Sequence, residues 1–142
     1  MKVSRSRLSE LRVLLVEDES LIAMLIEDTL FDLDCQAVSV APTVADALDK
    51  LASTEFDIAI LDVNLNGSQS YPIAEVLVRK HIPFIFSTGY GASGVPEAFR
   101  AVPVLVKPFR AGDVARSLEA ALKADKFAKK PGIAAPPTRE PM

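Results

Sequence analysis

Five short apolar runs alternate along the chain with stretches that repeat apolar residues at helical spacing. The runs have the length of buried strands, and the stretches between them have the length of crossover helices. The runs lie at residues 12–16, 36–40, 58–61, 83–86 and 102–106. Strands that alternate with helices form a parallel sheet covered on both faces, with right-handed crossovers. The sequence therefore predicts an α/β fold, a doubly wound five-stranded parallel sheet with about five helices.

The helical patterns differ in strength from one crossover to the next. In the first crossover, Leu21, Met24 and Leu25 begin a mostly apolar face that continues through the Leu30–Phe31–Leu33 cluster to about residue 33. The fourth crossover contains three glycines and a proline between residues 89 and 96, which leaves only about residues 96–101 for a helix. The fourth helix is therefore predicted to be short or mobile.

The composition limits the class of protein. The chain has 142 residues, 49% of them hydrophobic, which is enough for one domain with a sizeable core. No apolar run approaches the ~20 residues of a membrane span, the amino terminus lacks a secretory pattern, and the single cysteine cannot form an internal disulfide. A net charge of −3 argues against nucleic-acid binding through phosphate contacts. The sequence therefore predicts a soluble, cytoplasmic protein without membrane or nucleic-acid partners.

Two segments without apolar periodicity flank the predicted domain. Residues 1–10 are predicted to form a flexible arm, residues 11–128 the domain, and residues 129–142 a disordered, proline-rich tail. A second folded domain usually needs at least about 50 residues. We therefore expect no DNA-binding or catalytic output domain.

Polar side chains stand where the apolar runs end. Glu17 and Asp18 follow the first run, Asp62 ends the third, Thr88 follows the fourth and Lys107 follows the fifth. Each residue alone has an ordinary explanation, as a turn residue, a helix-terminal charge or a solvated strand end. Because the carboxyl ends of parallel strands meet at one edge of the sheet, where ligands bind, all five are expected to lie together.

The expected cluster has the chemistry of phosphoryl transfer. Carboxylates held close together repel one another, and Mg²⁺, or alternatively Mn²⁺, is a hard cation that would offset this repulsion. With that cation and Lys107 screening an incoming phosphoryl group, Asp62 on the middle strand can act as a nucleophile and form an acyl phosphate. Thr88 would place a hydroxyl beside the phosphoryl oxygens, and Lys107 would supply a positive charge.

Four segments carry a resemblance to the receiver domain of bacterial two-component response regulators, over about residues 11–123. They are Leu15-Val16-Glu17-Asp18-Glu19, Leu61-Asp62-Val63-Asn64-Leu65-Asn66-Gly67, Phe86-Ser87-Thr88-Gly89-Tyr90 and Val106-Lys107-Pro108-Phe109. The resemblance implies a flavodoxin-like fold with strand order 2-1-3-4-5.

The resemblance also implies a role for each residue of the expected site. Asp62 would be phosphorylated by a sensor histidine kinase, and Thr88 and Lys107 would contact the phosphoryl group. Asp18 would bind Mg²⁺ directly with Glu17 near it, and the backbone carbonyl of Asn64 would complete the metal shell. The peptide bond before Pro108 is typically cis in this family.

One position departs from the usual family pattern. Receivers commonly carry a switch aromatic three residues before the lysine, where this chain has Val104. The segment ending Thr88-Gly89-Tyr90 is similar to the Phe-Ala-Thr-Gly-Tyr/Phe motif of some stand-alone receivers, with Ser87 in place of alanine. Tyr90 is therefore a candidate for the aromatic partner of Thr88 in a switch, with an exposed turn tyrosine as the alternative.

These features favour a stand-alone response regulator, a signalling protein and not an enzyme, which passes its signal on through proteins. The expected partners are a sensor histidine kinase and, as further candidates, a phosphotransfer protein or another signalling protein. We expect a monomer or a weak dimer. Two alternatives stay open, a phosphorylation-independent adaptor of receiver shape and a phosphoaspartate phosphatase. The phosphatase is disfavoured because haloacid-dehalogenase enzymes need a second acid where this chain has Asn64.

Overall fold

A five-stranded parallel sheet forms the centre of the molecule. The computed structural model describes residues 8–65, 67–89 and 95–128. The strands are β1 (Arg12–Val16), β2 (Ala37–Ala41), β3 (Ile58–Asp62), β4 (Asn64–Leu65), β5 (Ser68–Gln69), β6 (Phe84–Thr88) and β7 (Val104–Val106). The sheet has the order β2-β1-β3-β6-β7, while β4 and β5 form a separate antiparallel hairpin. Counting the sheet strands alone, this is the predicted order 2-1-3-4-5, and the predicted fold class is confirmed.

Four α-helices connect and cover the strands within the described residues. They are α1 (Ser20–Asp32), α2 (Val44–Ser53), α3 (Tyr71–Arg79) and α4 (Ala111–Ala128). Among the described residues, the fourth crossover has a 3₁₀ turn, Glu97–Phe99, which lies within residues 96–101, where the sequence predicts a short fourth helix. Pro96 directly precedes this turn and has no backbone N–H, so the turn begins after it. The mobility of this crossover stays a prediction, and its residues 90–94 lie outside the described residues.

The two faces of the sheet carry separate apolar cores. Leu14, Leu61 and Phe86 pack on the side covered by α2 and α3, whereas Leu15 and Ile60 pack on the side of α1 and α4. Every residue of β3 is buried, as expected for the middle strand of a sheet covered on both faces. The middle strand is therefore held rigidly at the point where it delivers Asp62 to the sheet edge.

Helix α1 turns only part of its predicted apolar face to the core. Leu21, Met24 and Leu25 are exposed, with Leu21 at 75%, and the buried residues are Leu30 together with Ala23 and Ile26. The helix is apolar on most of its circumference, so periodicity did not distinguish its inner from its outer side. The exposed residues Leu21, Met24, Leu25 and Phe31 are called the α1 stripe below. No described helix combines the length and the apolar content needed to cross a bilayer.

The orientation of α1 gives a direct test of the fold. Ile26→Ala should lower the free energy of unfolding by about 2–5 kcal/mol, because it leaves a cavity at a fully buried position. Met24→Ala on the exposed side of the same helix should change it by less than about 0.5 kcal/mol. Urea unfolding of both variants measures the difference. Equal losses in the two variants would contradict this orientation of α1.

Candidate functional site at the sheet edge

Three carboxylates meet at the carboxyl edge of the sheet. Glu17 and Asp18 follow β1, and Asp62 ends the adjacent strand β3. Each of the three offers an oxygen, and these oxygens lie within 4.8 Å of one another. Glu17 is 1% exposed and Asp62 is 7% exposed, so little water reaches either residue to screen the repulsion.

Lys107 places its ammonium group between two of these acids. Its Nζ lies 3.4 Å from Glu17 Oε1 and 3.4 Å from Asp62 Oδ2. Its backbone N–H donates to the Thr88 carbonyl at 2.9 Å, which extends the pairing of β7 with β6 to the site. The peptide bond between Lys107 and Pro108 is cis. Burial alone would lower the pKa of Lys107, but the charges of Asp62 and Glu17 outweigh it, and the pKa is raised.

Glu17 is a buried acid whose surroundings disfavour its ionised form. The backbone N–H of Glu19 donates to its Oε2 at 3.2 Å, while its buried Oε1 has no hydrogen bond among the described residues and lies 3.4 Å from Lys107 Nζ. Burial, followed by the charge of Asp62, raises the pKa of Glu17 to about 7. One lysine therefore does not compensate the negative charge that the fold brings together here.

The loop after β3 contacts the Asp62 carboxylate. The backbone N–H of Asn64 donates to Asp62 Oδ1 at 3.4 Å. The Asn64 side chain in turn accepts from the Gly67 N–H at 2.9 Å and so closes the turn of the hairpin. Gly67 has a φ of 92°, which a residue with a Cβ adopts only with strain. The turn glycine thus helps to fix the loop that approaches Asp62.

Strand β6 ends beside the acids. Asp62 pairs in register with Ser87, and Thr88 follows, buried at the end of the strand. The structure therefore brings together Glu17, Asp18, Asp62, Thr88 and Lys107 at one sheet edge.

Comparison with known proteins gives the family. The response regulator receiver domain matches residues 13–119, which is most of the chain. The chain belongs to the response regulator receiver domain family. The family places this protein among two-component signal transduction proteins.

Individual relatives agree with this receiver assignment. The sensory transduction protein LytT of Bacillus subtilis (strain 168) is 34% identical over 107 residues, which cover 70% of this chain and 43% of LytT. The chain thus spans less than half the length of this curated relative. The solution structure of SdrG from Sphingomonas melonis Fr1 is 48% identical, with a TM-score of 0.73, and covers 79% of this chain and 96% of that one. A BeF3-activated conformation of SdrG from Pseudomonas melonis Fr1 is 46% identical, with a TM-score of 0.71, and covers 80% of this chain and 98% of that one.

The acidic cluster of this receiver domain fits a divalent cation. Mg²⁺ takes carboxylate oxygens together with several waters, and three carboxylates offer oxygens within 4.8 Å of one another. Glu17 Oε1 is buried, forms an ion pair with Lys107 and has no hydrogen bond within the part of the chain that the structure describes, so it can accept such an ion as a further partner. The Asn64 carbonyl as a further ligand stays a prediction.

The predicted switch is described only in part. Thr88 is buried, and Val104 is half-buried beside Phe86 on the α2 and α3 side of the sheet. Tyr90 lies outside the described residues, so its role stays a prediction.

Ser87 lies next to Asp62 in the sheet, a neighbour that was not predicted from the sequence. The available signal was a polar residue inside an apolar strand, directly before Thr88.

Proposed function

We propose that this receiver domain accepts one phosphoryl group on Asp62 from a sensor histidine kinase and passes the signal on through protein contacts. The observation that carries the proposal is the Lys107 ammonium group, which lies 3.4 Å from both the Asp62 and the Glu17 carboxylates. A lysine between two buried acids can turn to an incoming phosphoryl group without leaving the site. The acids that it leaves would be neutralised by a divalent cation.

The proposed transfer uses a carboxylate oxygen of Asp62 as the nucleophile. A bond forms between that oxygen and phosphorus, and the bond from phosphorus to the donor nitrogen breaks, with its electron pair leaving on the donor. Lys107 and Thr88 would contact the phosphoryl oxygens. Glu17, Asp18 and Asp62, with the Asn64 carbonyl, would hold a Mg²⁺ or Mn²⁺ ion, which neutralises phosphoryl charge.

The α1 stripe supports a protein as the phosphoryl donor. Helix α1 begins at Ser20, two residues after Asp18, so the stripe starts beside the site. Exposed apolar residues next to a polar site are typical of protein contact surfaces. We therefore assign the α1 stripe as the contact for the kinase or for a phosphotransfer protein.

The relatives add chemical support. Beryllofluoride binds carboxylates in the place of a phosphoryl group, and SdrG, 46% identical to this chain, adopts a BeF3-activated conformation. The same activation is proposed for this chain through Asp62. A phosphorylation-independent adaptor would have no use for buried, repelling acids, which cost stability. The absence of an output domain, the cytoplasmic location and the monomeric or weakly dimeric state stay predictions from the sequence.

Beryllofluoride titration tests this function. With Mg²⁺ present, beryllofluoride should shift the backbone NMR signals of Asp62, Thr88 and Lys107, and Asp62→Asn should abolish these shifts. Asp57→Asn is the matched control, because Asp57 precedes the same strand at its other end and pairs there with Arg12 at 3.2 Å. This control should respond like the wild type. Unchanged signals around Asp62 in the wild-type protein would contradict the proposed function.

A further inference from the structure

Ser87 is a buried polar residue for which the proposed transfer has no role. It is the next-to-last residue of β6 and pairs in register with Asp62 on one side and with Leu105 on the other. It is 1% exposed, and its hydroxyl oxygen has no hydrogen-bond partner within the described part of the chain. Most buried hydroxyls have a partner, so this one requires an explanation.

The Ser87 side chain lies on the same face of the sheet as the Asp62 carboxylate. In-register neighbours of a parallel sheet project to one face, and residues two apart in a strand share a face. Ile60 and Leu105 both pack in the core on the α1 and α4 side. Asp62 follows Ile60 by two residues, and Ser87 pairs with Leu105, so both project to this side.

Glu17 and Lys107 project to this same face of the sheet. Glu17 and Lys107 follow Leu15 and Leu105 by two residues, and both leucines pack in that same core. Their backbone N–H groups continue the strand ladders, to Ala41 and Thr88 respectively. The Ser87 hydroxyl is therefore on the side of the sheet where Lys107 meets the Glu17 and Asp62 carboxylates.

The Asp62 carboxylate has other donors in the present state. Lys107 Nζ lies 3.4 Å from Oδ2, and the Asn64 N–H donates to Oδ1 at 3.4 Å. A phosphoryl group on Asp62 would add three oxygens with more negative charge, and these would attract the Lys107 ammonium group. The carboxyl group of Asp62 would then lack its lysine, while the Ser87 hydroxyl in the adjacent strand has no acceptor among the described residues.

We propose that Ser87 is a further catalytic residue. Its hydroxyl donates a hydrogen bond to the carboxyl group of Asp62 while the phosphoryl group is lost. This inference rests on the proposed function of Asp62. In the step, a water oxygen attacks phosphorus, and the bond from phosphorus to the Asp62 oxygen breaks. The electron pair of that bond stays on the carboxyl group, and the products are the Asp62 carboxylate, inorganic phosphate and a proton released from the water.

The hydrogen bond from Ser87 accelerates this step because it strengthens as the leaving carboxyl group gains negative charge. A donor binds a carboxylate more strongly than it binds the neutral carbonyl of an acyl phosphate. An interaction that is stronger in the transition state than in the ground state raises the rate. Ser87 thus shortens the lifetime of the phosphorylated protein.

Three variants separate this role from a purely structural one. Ser87→Ala removes the hydroxyl, and Ser87→Cys replaces it with a weaker donor of similar shape. Ser70→Ala is the matched control, because Ser70 is also fully buried but its hydroxyl already donates to the Val63 carbonyl at 3.3 Å. Each full-length variant is loaded with acetyl phosphate and Mg²⁺. The donor is then removed, and the remaining phosphoprotein is followed by intact-mass spectrometry.

The half-life of the phosphorylated state should be about tenfold longer in Ser87→Ala, the effect of one charge-assisted hydrogen bond, and intermediate in Ser87→Cys. The unphosphorylated Ser87→Ala protein should also melt at a higher temperature, because a buried hydroxyl without a partner is removed. Ser70→Ala should melt at a lower temperature and keep the wild-type half-life.

Equal half-lives of wild type and Ser87→Ala would overturn the proposal, whatever the melting temperatures are. The same conclusion follows if Ser70→Ala lengthens the half-life as much as Ser87→Ala does. If the wild type takes up no phosphoryl group on Asp62, the proposed function itself fails and the role of Ser87 fails with it. The two failures are distinguished by the mass of the wild-type protein before the donor is removed.

Discussion

Lys107→Met is expected to lower the free energy of unfolding by about 2–3 kcal/mol at pH 8 without divalent cations, because it leaves two buried acids without their cation. The lysine ammonium group lies 3.4 Å from both Glu17 and Asp62. At pH 5 the loss should be much smaller, since the pKa of Glu17 is already raised to about 7 and a proton then neutralises it. Urea unfolding at both pH values measures the effect.

Lys80→Met is the control for Lys107→Met, because Lys80 is an exposed lysine that follows α3. Its loss should change the free energy of unfolding by less than about 0.5 kcal/mol at either pH. A Lys107→Met variant as stable as the wild type at pH 8 would show that the lysine does not compensate the acids.

The stability of the wild-type protein without divalent cations should fall between about pH 4.5 and pH 7, on the order of 3 kcal/mol in total. Burial raises the pKa of Glu17 from 4.5 to about 7, so the folded chain binds a proton that the unfolded chain has already released. Because the folded state binds more protons in this window, its free energy of unfolding decreases as the pH rises. Glu17→Gln should remove most of this slope.

Mg²⁺ should counteract this loss of stability of the wild-type protein at high pH. A cation bound to ionised Glu17 and Asp18 favours the charged forms, so millimolar Mg²⁺ should raise the stability at pH 8 and have little effect at pH 5. Glu17→Gln should respond much less, whereas Glu75→Gln on the exposed side of α3 should behave like the wild type. If the stability of Glu17→Gln without divalent cations depends on pH as strongly as that of the wild type, a group other than Glu17 titrates in this range.

The composition of the site could be predicted because it depends on topology. Once five apolar runs alternate with helices, the sheet is parallel and its carboxyl ends converge. The positions of Glu17, Asp18, Asp62, Thr88 and Lys107 follow from that convergence. No contact between distant side chains had to be known in advance.

The features that escaped prediction depend on packing and not on periodicity. Helix α1 has apolar residues on most sides, and only the fit of Ile26 and Leu30 against the sheet decides that Leu21 faces outward. The hairpin after Asp62 also was not predicted, because two-residue strands have no period to detect.

The electrostatic properties of the site likewise could not be predicted from the sequence. The raised pKa of Glu17 follows from its deep burial and from the charge of Asp62 beside it. That the Ser87 hydroxyl has no partner among the described residues depends on every atom around it. Neither property can be read from residue order.

The central claim is that Asp62 is the residue that accepts the phosphoryl group. The most direct measurement treats the protein with acetyl phosphate and Mg²⁺, reduces it with borohydride, and maps the reduced residue by peptide mass spectrometry, since borohydride converts an aspartyl phosphate to homoserine. The account predicts homoserine in place of Asp62, with Asp18 and Asp57 unmodified, and no conversion in Asp62→Asn. Conversion of another acid, or full labelling of Asp62→Asn, would contradict it.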